Sequence, residues 1–419
     1  MCRFLLFVVC FSFSVYSQAF CQETGVLNAA KPACAQLDST KYGDDNPLPA
    51  YSAGTLILGP YLVGLTAEDV SFRWEVMGET NGQIRIVGPD ISDSIKGIPM
   101  PVAEALKDLP GIVHEATVSA LQPCTEYRYR LEPYEHDGFP HRFKTAPPPG
   151  ERCSRNTRFV VYGDSRTHHK VHGSLMPALI SAGADYAINV GDLVFKPRRI
   201  FEWQKFFQIE AGFLASTPIS VTPGNHEGHN DPEFGKAMFG RYFLDGLNNG
   251  VGHYSFLRGN VFFVMLDLYF GAPIGDPETV KWLDSELSKA PEGSYTFVIL
   301  HDPVVTFSRH PPRQSLRRLT GLFEKHKVTA VCAGHAHVYE HFFMKGVHYL
   351  TLGGMGAEFH QPRSRVSSRY EKYFKSSKAF YHFLRVTVEP DRVRFEVIDA
   401  KDASVYEEWV AKEDKVESK

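Results

Sequence analysis

The sequence lacks a strong excess of charge of one sign. Its 45 Lys and Arg residues nearly balance its 48 Asp and Glu residues, which gives a formal net charge of -3. Because a protein that binds a phosphate backbone usually presents a strongly basic face, this balance argues against nucleic acid as the main partner. Repeats of solenoid period are absent as well. With 43% apolar residues in 419, the chain is a globular protein of two or three domains.

Long hydrophobic runs are equally scarce, and the one candidate lies at the start. Met1-Cys2-Arg3 precedes an apolar stretch that lasts to Val15, and Ser17-Gln18-Ala19 follows it. This pattern predicts a cleaved signal peptide over residues 1–21 and therefore a secreted or periplasmic protein. A lipoprotein is less favoured, because the residues before Cys21 are not both small. No other stretch is apolar enough for a transmembrane segment.

Cysteine is sparse, with seven residues in all. Removal of a signal peptide leaves Cys34, Cys124, Cys153 and Cys332 to be assigned. Cys124 and Cys153 flank a predicted domain junction and are candidates for a disulfide in an oxidising compartment, although Cys34 could equally pair with either. Cys332 lies inside an apolar run and is predicted to be a buried free thiol.

The first half of the mature chain has the pattern of short antiparallel strands. After a polar arm at residues 22–50, segments such as Val70–Val76 alternate apolar and polar residues. Leu121–Leu131 carries the order Leu-x-Pro-x-Thr-x-Tyr-x-Tyr, which resembles the tyrosine-corner segment of fibronectin type III domains. We therefore predict a fibronectin type III-like β-sandwich over residues 51–150, closed by the proline-rich linker Thr145–Gly150.

From Arg158 the pattern changes to strand, turn and helix, which predicts an α/β layered sheet. Helical spacing is found over residues 175–182, 201–214, 279–287 and 315–326. The runs Phe383–Val388 and Val393–Ile398 predict an antiparallel hairpin, and residues 401–419 are assigned to a C-terminal tail.

Five of the predicted strands end in polar residues of metal-ligand type. These endings are Gly163-Asp164, Gly191-Asp192, Gly224-Asn225-His226-Glu227, His301-Asp302 and Gly334-His335-Ala336-His337. Ligands of open α/β sheets bind outside the carboxyl ends of the strands, so these loops are expected to converge. A shell of carboxylate, amide and imidazole groups suits manganese, iron or zinc.

The order of these endings resembles the calcineurin-like metallophosphoesterase superfamily, and the preceding sandwich resembles its purple acid phosphatase-like branch. The resemblance implies a four-layer α/β/β/α domain over residues 157–400. It also implies a binuclear metallophosphoesterase that holds two divalent or mixed-valence ions of iron, manganese or zinc. A small phosphorylated substrate, most simply a phosphomonoester, would be hydrolysed by hydroxide generated between ions about 3.5–4 Å apart.

The resemblance also implies roles for individual residues. Asp192 would bridge the two ions, since a carboxylate has one oxygen for each. Asp164 and His337 would hold the first ion, and the second would be held by Asn225, His301 and His335. His226 would stabilise the phosphoryl group or protonate the leaving oxygen. Glu227 and Asp302 are expected to support this site through hydrogen bonds rather than bind metal.

The sequence departs from the family pattern at the first ion. Arg166 replaces the histidine of an Asp-x-His motif, and Phe195 replaces the tyrosine that gives purple acid phosphatases their colour. Three alternatives stay open: a weakly held ion, completion by His168 or His169, or an Arg166 that contacts substrate phosphate in a bidentate way. His310 is either a phosphate-facing residue or a solvent-exposed one.

Two further questions stay open at this level. The basic residues Arg309, Arg313, Arg317 and Arg318, with the basic insertion at 363–378, could attract anionic substrates or form a solvated face. The alternatives to a phosphomonoesterase are a phosphodiesterase or nucleotide-cleaving enzyme on the same scaffold, and a non-catalytic surface binding protein.

Overall fold

The computed structural model describes residues 51–78, 82–243, 252–271, 273–309, 313–361 and 369–412. The predicted signal peptide, the arm, Cys34 and His310 lie outside the described residues. Within them, no helix is long and apolar enough to cross a membrane.

Two four-stranded antiparallel sheets come first in the chain. Their strands are β1 (Leu56–Val63), β2 (Val70–Met77), β3 (Gln83–Val87), β4 (Ser92–Lys96), β5 (Ile98–Pro99), β6 (Gly111–Val118), β7 (Glu126–Glu132) and β8 (His141–Lys144). The sheets have the orders β1-β2-β6-β5 and β4-β3-β7-β8. Alternate side chains of both sheets fill one core around Phe72 and Trp74. The Tyr127 hydroxyl accepts a hydrogen bond from Gln122 N and donates one to Asp90 Oδ1, both at 2.8 Å.

The rest of the chain forms two larger sheets with helices outside them. The strands are β9 (Thr157–Tyr162), β10 (Tyr186–Asn189), β11 (Ile219–Val221), β12 (Tyr254–Arg258), β13 (Val261–Met265), β14 (Tyr295–Ile299), β15 (Ala330–Ala333), β16 (Tyr339–Met344), β17 (Val347–Leu352), β18 (Phe374–Lys378), β19 (His382–Val388), β20 (Arg392–Asp399) and β21 (Val405–Lys412). The helices are α1 (His169–Ser181), α2 (Ile200–Leu214), α3 (Pro232–Phe243), α4 (Pro277–Leu287), α5 (Gln314–Arg317) and α6 (Thr320–Lys325).

These elements make four layers, as the family resemblance implied. A six-stranded sheet, β11-β10-β9-β19-β20-β21, faces a seven-stranded sheet, β12-β13-β14-β15-β17-β16-β18. Their facing sides share one apolar core, while α1 to α3 cover the first sheet and α4 to α6 cover the second. Because both faces of strands such as β13 are covered, their sequences are continuously apolar.

Strand direction places all five polar endings at one edge of the two sheets. β9, β10 and β11 are parallel neighbours in the first sheet, and β13, β14, β15 and β17 are parallel neighbours in the second. The carboxyl ends of β9, β10, β11, β14 and β15 carry the polar residues predicted to converge. The fold therefore supplies the position that the predicted metal centre needs.

The sandwich is joined to the layered part through buried polar contacts. Arg241 of α3 donates to Glu75 Oε1 at 2.8 Å, and both side chains are only 5% exposed. The Tyr242 hydroxyl donates to Glu75 Oε2 at 2.9 Å, and Arg73 donates to the Tyr242 carbonyl at 2.9 Å. Apolar residues of β1 and β6 join the same core as α2 and α3. The two parts consequently share one interior.

Cysteine chemistry follows the sequence prediction. Cys124 and Cys153 form a disulfide that ties the turn before β7 to the segment before β9. Cys332 is a buried free cysteine in β15, and burial raises the pKa of its thiol.

Several predicted elements differ in extent. The helix predicted at 175–182 begins at His169, and the one predicted at 315–326 is two short helices, α5 and α6. Leu316, Leu319 and Phe323 are all buried, so the sequence keeps helical spacing across the turn between them. The hairpin predicted near the end is confirmed as β19 and β20.

The assignment of residues 401–419 to a tail is wrong for Val405–Lys412, which forms β21 at the edge of the six-stranded sheet. Trp409 of this strand stacks on Phe395 with ring centroids 5.0 Å apart. Through this contact the strand packs an aromatic side chain against its neighbour, although its sequence is rich in charged residues.

Candidate metal centre

The six residues predicted as metal ligands form one contiguous cluster. Asp164, Asp192 and His337 offer ligand atoms that all lie within 4.8 Å of one another. Asn225 Oδ1 lies 3.1 Å from His301 Nε2 and 2.9 Å from His335 Nδ1. His301 Nε2 also lies 3.3 Å from Asp192 Oδ1. Asp192 thus belongs to both groups of donors, which is the place that a bridging carboxylate requires.

Hydrogen bonds to main-chain carbonyls orient two histidines of this cluster and the neighbouring His226. His301 Nδ1 lies 2.7 Å from Val190 O, and His337 Nδ1 lies 2.6 Å from Glu358 O. A carbonyl only accepts, so Nδ1 carries the proton and Nε2 is turned towards the carboxylates. His226 follows the same arrangement, with Nδ1 2.8 Å from the Phe195 carbonyl.

His335 is oriented the other way. Its Nδ1 faces Asn225, while its Nε2 lies 3.5 Å from Asp302 Oδ1. Asp302 in turn accepts from the Tyr269 hydroxyl at 2.8 Å and pairs with Arg313 at 2.7 Å. Asp302 therefore sits behind the imidazole, as expected for a supporting residue, and Arg313 is tied to it.

The backbone of the cluster is held in an unusual conformation. Asp164, Asp192 and His335 have φ angles of 57°, 60° and 64°, in the left-handed region that non-glycine residues rarely adopt. Glycine is needed beside two of them, because a Cβ on Gly224 would meet the Asp192 carboxylate and one on Gly334 would meet that of Asp164. These glycines account for the Gly-Asn and Gly-His pairs of the sequence.

Glu227 fixes the loop that carries Asp192. Its buried carboxylate accepts from Asp192 N at 2.9 Å, Leu193 N at 2.8 Å, Val194 N at 3.2 Å and Gly224 N at 2.6 Å. Burial and the nearby Asp192 raise the pKa of Glu227 to about 7, although the N–H donors oppose this. Glu227 connects two ligand-bearing loops and points its oxygens at backbone rather than at the centre.

The electrostatics of the cluster favour a bound cation. Burial opposes ionisation of Asp192, yet His301 and other positive neighbours hold the pKa of its carboxyl well below the usual range. Burial lowers the pKa of His301, but the Asp192 carboxylate outweighs it and raises that pKa to about 10. Burial and His301 lower the pKa of His335 to about 4. Carboxylates that hold a proton on His301 provide the negative potential that a metal ion also needs.

Arg166 occupies the side of Asp192 next to His337. Its Nε donates to Asp192 Oδ2 at 3.1 Å, and its terminal nitrogens lie 3.4 Å from His337 Nε2 and 3.2 Å from Thr167 Oγ1. Neither of the candidate replacement histidines joins this group within the part of the chain that the structure describes. His168 Nε2 instead lies 3.6 Å from the Glu358 carboxylate.

Two aromatic contacts of the site were missed by the sequence analysis. His360 stacks on His337 with centroids 4.0 Å apart, and its Nδ1 accepts from His337 N at 3.0 Å. Phe195, His226 and His229 form a stack, with the two histidine rings 5.4 Å apart. The spacing of His229, three residues after His226, was the only signal in the sequence for this stack.

Comparison with known proteins agrees with this geometry. The sequence model of calcineurin-like phosphoesterases matches residues 157–339, which span the strands and loops that carry the six clustered residues. Residues 157–339 are thus similar to calcineurin-like phosphoesterases, and the chain is also similar to purple acid phosphatases.

One curated relative is the Fe(3+)-Zn(2+) purple acid phosphatase 12 of Arabidopsis thaliana. It is 26% identical over 251 residues, which cover 55% of this chain and 52% of the relative. The chain spans about half to two thirds of the length of this relative and of two other purple acid phosphatases of Arabidopsis thaliana, numbers 20 and 15.

Solved structures of similar proteins share the fold. Purple acid phosphatase PPD1 from yellow lupin (Lupinus luteus) seeds gives a TM-score of 0.70 at 17% identity, covering 84% of this chain and 74% of that one. PhoD gives a TM-score of 0.64 at 12% identity, covering 87% and 90%. Both similarities extend beyond the layered domain into the preceding sheets.

Proposed function

We propose that this chain is an exported, metal-dependent phosphatase that hydrolyses phosphomonoesters. The observation that carries the proposal is the convergence of two donor groups on Asp192, one with Asp164 and His337 and one with Asn225, His301 and His335. The match of residues 157–339 to calcineurin-like phosphoesterases supports the same reaction class.

The donor set fits two divalent or mixed-valence ions of iron, manganese or zinc. Carboxylate, amide and neutral imidazole donors suit these metals, and the Nδ1 hydrogen bonds of His301 and His337 leave Nε2 turned towards the carboxylates. The name of the Arabidopsis relative states an iron and a zinc ion for that protein. When bound, such ions would supply Lewis acidity towards the phosphoryl oxygens and a hydroxide nucleophile near neutral pH.

The remaining residues would act on the substrate directly. His226 Nε2 lies 4.0 Å from Asp192 Oδ2, at the edge of the centre, and its Nδ1 is held by the Phe195 carbonyl. We assign to His226 the stabilisation of the phosphoryl group or the protonation of the leaving oxygen. Arg166 would contact a phosphoryl oxygen by exchanging its bond to the Thr167 hydroxyl. His310 lies outside the described residues, and its phosphate-facing role stays a prediction beside the solvent-exposed alternative.

The proposal is tested by hydrolysis of an aryl phosphomonoester by protein stripped of metal and resupplied with manganese, iron or zinc. We expect activity to return with metal in the wild type and to be lost in Asp192→Ala. Asp276→Ala is a matched control, because Asp276 caps α4 through Glu278 N and Thr279 N and is not a predicted ligand. Full turnover by Asp192→Ala would show that the reaction occurs elsewhere.

The role of His226 is separable from metal binding. His226→Ala is expected to retain the wild-type metal content and lose about 100-fold or more in kcat. Metal content is measured by elemental analysis and kcat by steady-state kinetics. Loss of metal together with rate would assign His226 to the integrity of the centre instead.

Two other functions are distinguished by the same assays. A phosphodiesterase would prefer an aryl phosphodiester to the monoester. A non-catalytic surface binding protein would bind no metal at all, and the altered surroundings of the first ion are its one support.

We further propose that residues 51–150 are a fibronectin type III-like module and that residues 157–400 are the catalytic domain. The Tyr127 contacts support the first assignment. The predicted signal over residues 1–21 supports a secreted or periplasmic location.

A further inference from the structure

The second sheet of the sandwich, β4-β3-β7-β8, has a basic outer face. Tyr127 and Tyr129 of β7 belong to the sandwich core, so the residues that alternate with them lie on the opposite side of the sheet. The charged residues paired on that side are Arg85, Lys96, Arg128, Arg130, Arg142 and Lys144, with Glu126 and Glu132. Positive charge is thus in clear excess on this face, whereas the whole chain has a formal net charge of -3.

Arginines lie directly opposite each other on this face. Arg85 of β3 is paired in register with Arg130 of β7. Arg128 of β7 is paired in the same way with Arg142 of β8. Side chains at such positions have Cβ atoms about 4.5–5.5 Å apart, and like charges there destabilise a sheet. The face therefore carries two unfavourable cross-strand pairs side by side.

Other sheets of the same protein place a glutamate opposite an arginine. Arg73 of β2 lies opposite Glu115 of β6, and its Nε donates to that carboxylate at 2.7 Å. Arg385 of β19 lies opposite Glu396 of β20 and donates to it twice, at 2.9 and 2.7 Å. Strand geometry therefore does not force the two arginine pairs of the sandwich.

Arg128 and Arg142 are the least compensated of the four arginines. Both are exposed, and within the described ranges no carboxylate lies within 4.0 Å of either guanidinium. By contrast, Arg130 pairs with Glu132 at 2.6 Å, and Arg85 donates to two serine hydroxyls. An anion between Arg128 and Arg142 would accept from both planar guanidinium groups and remove their repulsion.

A cleft lies at the end of this face where β3 begins. Its volume is about 450 Å³, and its lining includes Gln83, Lys96, Arg130 and His136. Sites for small organic ligands have volumes of about 300–1,000 Å³. Amide, imidazole and cationic groups there offer hydrogen bonds to hydroxyl groups as well as to an anion. The cleft therefore suits a polar ring better than a flat bilayer surface.

The composition of the face restricts the kind of anion further. Among the described residues paired on this side, Val87 is the one apolar residue and none is aromatic. Bases of single-stranded nucleic acids bind on aromatic platforms, and attachment to a membrane surface buries apolar side chains. A hydrophilic polymer with repeated sulfate or carboxylate groups needs neither feature.

We propose that this face binds an acidic polysaccharide. The sulfate or carboxylate of one sugar lies between Arg128 and Arg142, and a further sugar of the same chain occupies the cleft beside Lys96. The inference goes beyond the proposed phosphatase function and does not depend on it, because the sandwich alone forms the face. It assigns to the sandwich the attachment of the protein to an anionic polymer.

The test measures the dissociation constant of a heparin decasaccharide, which carries sulfate and carboxylate groups, by calorimetry in about 0.05 M NaCl. The wild type is compared with a variant that combines Arg128→Gln and Arg142→Gln. Loss of two charge-assisted contacts should weaken binding about tenfold or more. Neutral dextran of similar length should not bind either protein.

The matched control combines Arg392→Gln and Arg394→Gln. It removes the same charge from β20, where both arginines pair with Glu389 at 3.0 Å. This control should retain the wild-type affinity. Equal affinity of the wild type and the Arg128/Arg142 variant, or an equal loss in the control, would overturn the proposal.

Arg142→Glu separates binding from folding. It would face Arg128 as Glu396 faces Arg385, so the thermal midpoint should rise by about 1–2 °C while the affinity for the decasaccharide falls about tenfold or more. Unchanged affinity in this variant would contradict the proposal.

Other anionic partners are compared at the same salt concentration. Tighter binding to vesicles that contain phosphatidylglycerol, or to a thymidine oligonucleotide, than to the decasaccharide would refute the assignment to a polysaccharide. Hydrolysis of an aryl phosphomonoester is measured in parallel and should be equal in the wild type and the Arg128/Arg142 variant. Absence of turnover in every protein would refute the phosphatase proposal and leave the binding comparison to decide this one.

Discussion

Replacing Glu227 by glutamine should damage both the stability of the protein and its affinity for metal. The two carboxylate oxygens accept four backbone N–H bonds, from Asp192, Leu193, Val194 and Gly224. A glutamine keeps one accepting oxygen and turns an NH₂ group towards the other donors. About two buried N–H groups then lose their acceptor, at about 1–3 kcal/mol each. We expect Glu227→Gln to lower the free energy of unfolding by about 2–6 kcal/mol.

The effect on metal follows from the same contacts. Glu227 fixes the loops of Asp192 and Gly224, so its replacement should weaken metal binding about 10- to 100-fold, as for other residues that orient ligands. Urea unfolding of the metal-free protein measures the first effect, and calorimetric titration with Mn²⁺ or Zn²⁺ measures the second.

Asp276→Ala controls for stability alone. It removes the cap of α4 and should lower the free energy of unfolding by about 1 kcal/mol without changing metal affinity. An unchanged unfolding midpoint together with unchanged metal affinity in Glu227→Gln would refute the role assigned to this carboxylate.

Two further predictions concern pH and colour. Burial raises the pKa of Glu340 to about 7, above its ordinary value of 4.5, so the folded protein binds this proton more tightly than the unfolded chain does. The free energy of unfolding should thus fall by up to about 3 kcal/mol as the pH rises from about 5 to 7. Glu340→Gln should reduce this fall, as measured by urea unfolding at pH 5 and pH 8. An unchanged pH dependence in the variant would contradict the prediction. The iron-loaded wild type should lack the purple band because Phe195 has no phenolate, whereas Phe195→Tyr should gain visible absorbance. A colourless variant with confirmed iron content would show that position 195 does not reach the ion.

The sequence was sufficient to predict which polar residues converge, because they stand next to each other in short motifs. Each ligand follows an apolar strand, and a small residue such as Gly224 or Gly334 precedes it where the backbone must approach a carboxylate. The parallel arrangement of strands then brings the motifs together. Local patterns and one topological rule were enough for this part of the fold.

The supporting contacts could not be read in the same way. The stack of Phe195 on His226 joins two separate loops, so no spacing along the chain indicates it. β21 was missed because its charged residues hide the packing of Trp409 on Phe395 from a neighbouring strand. These features depend on which elements become neighbours.

The buried contacts between Glu75, Arg241 and Tyr242 restrict how this architecture can be reused. A cut at the proline-rich linker would leave the Arg241 guanidinium without its carboxylate and would expose the apolar side of α2 and α3 that packs on β1. The sandwich therefore contributes to the interior of the layered half. Recombination that exchanged it for an unrelated β module would have to bring a matching acid and a matching apolar face with it.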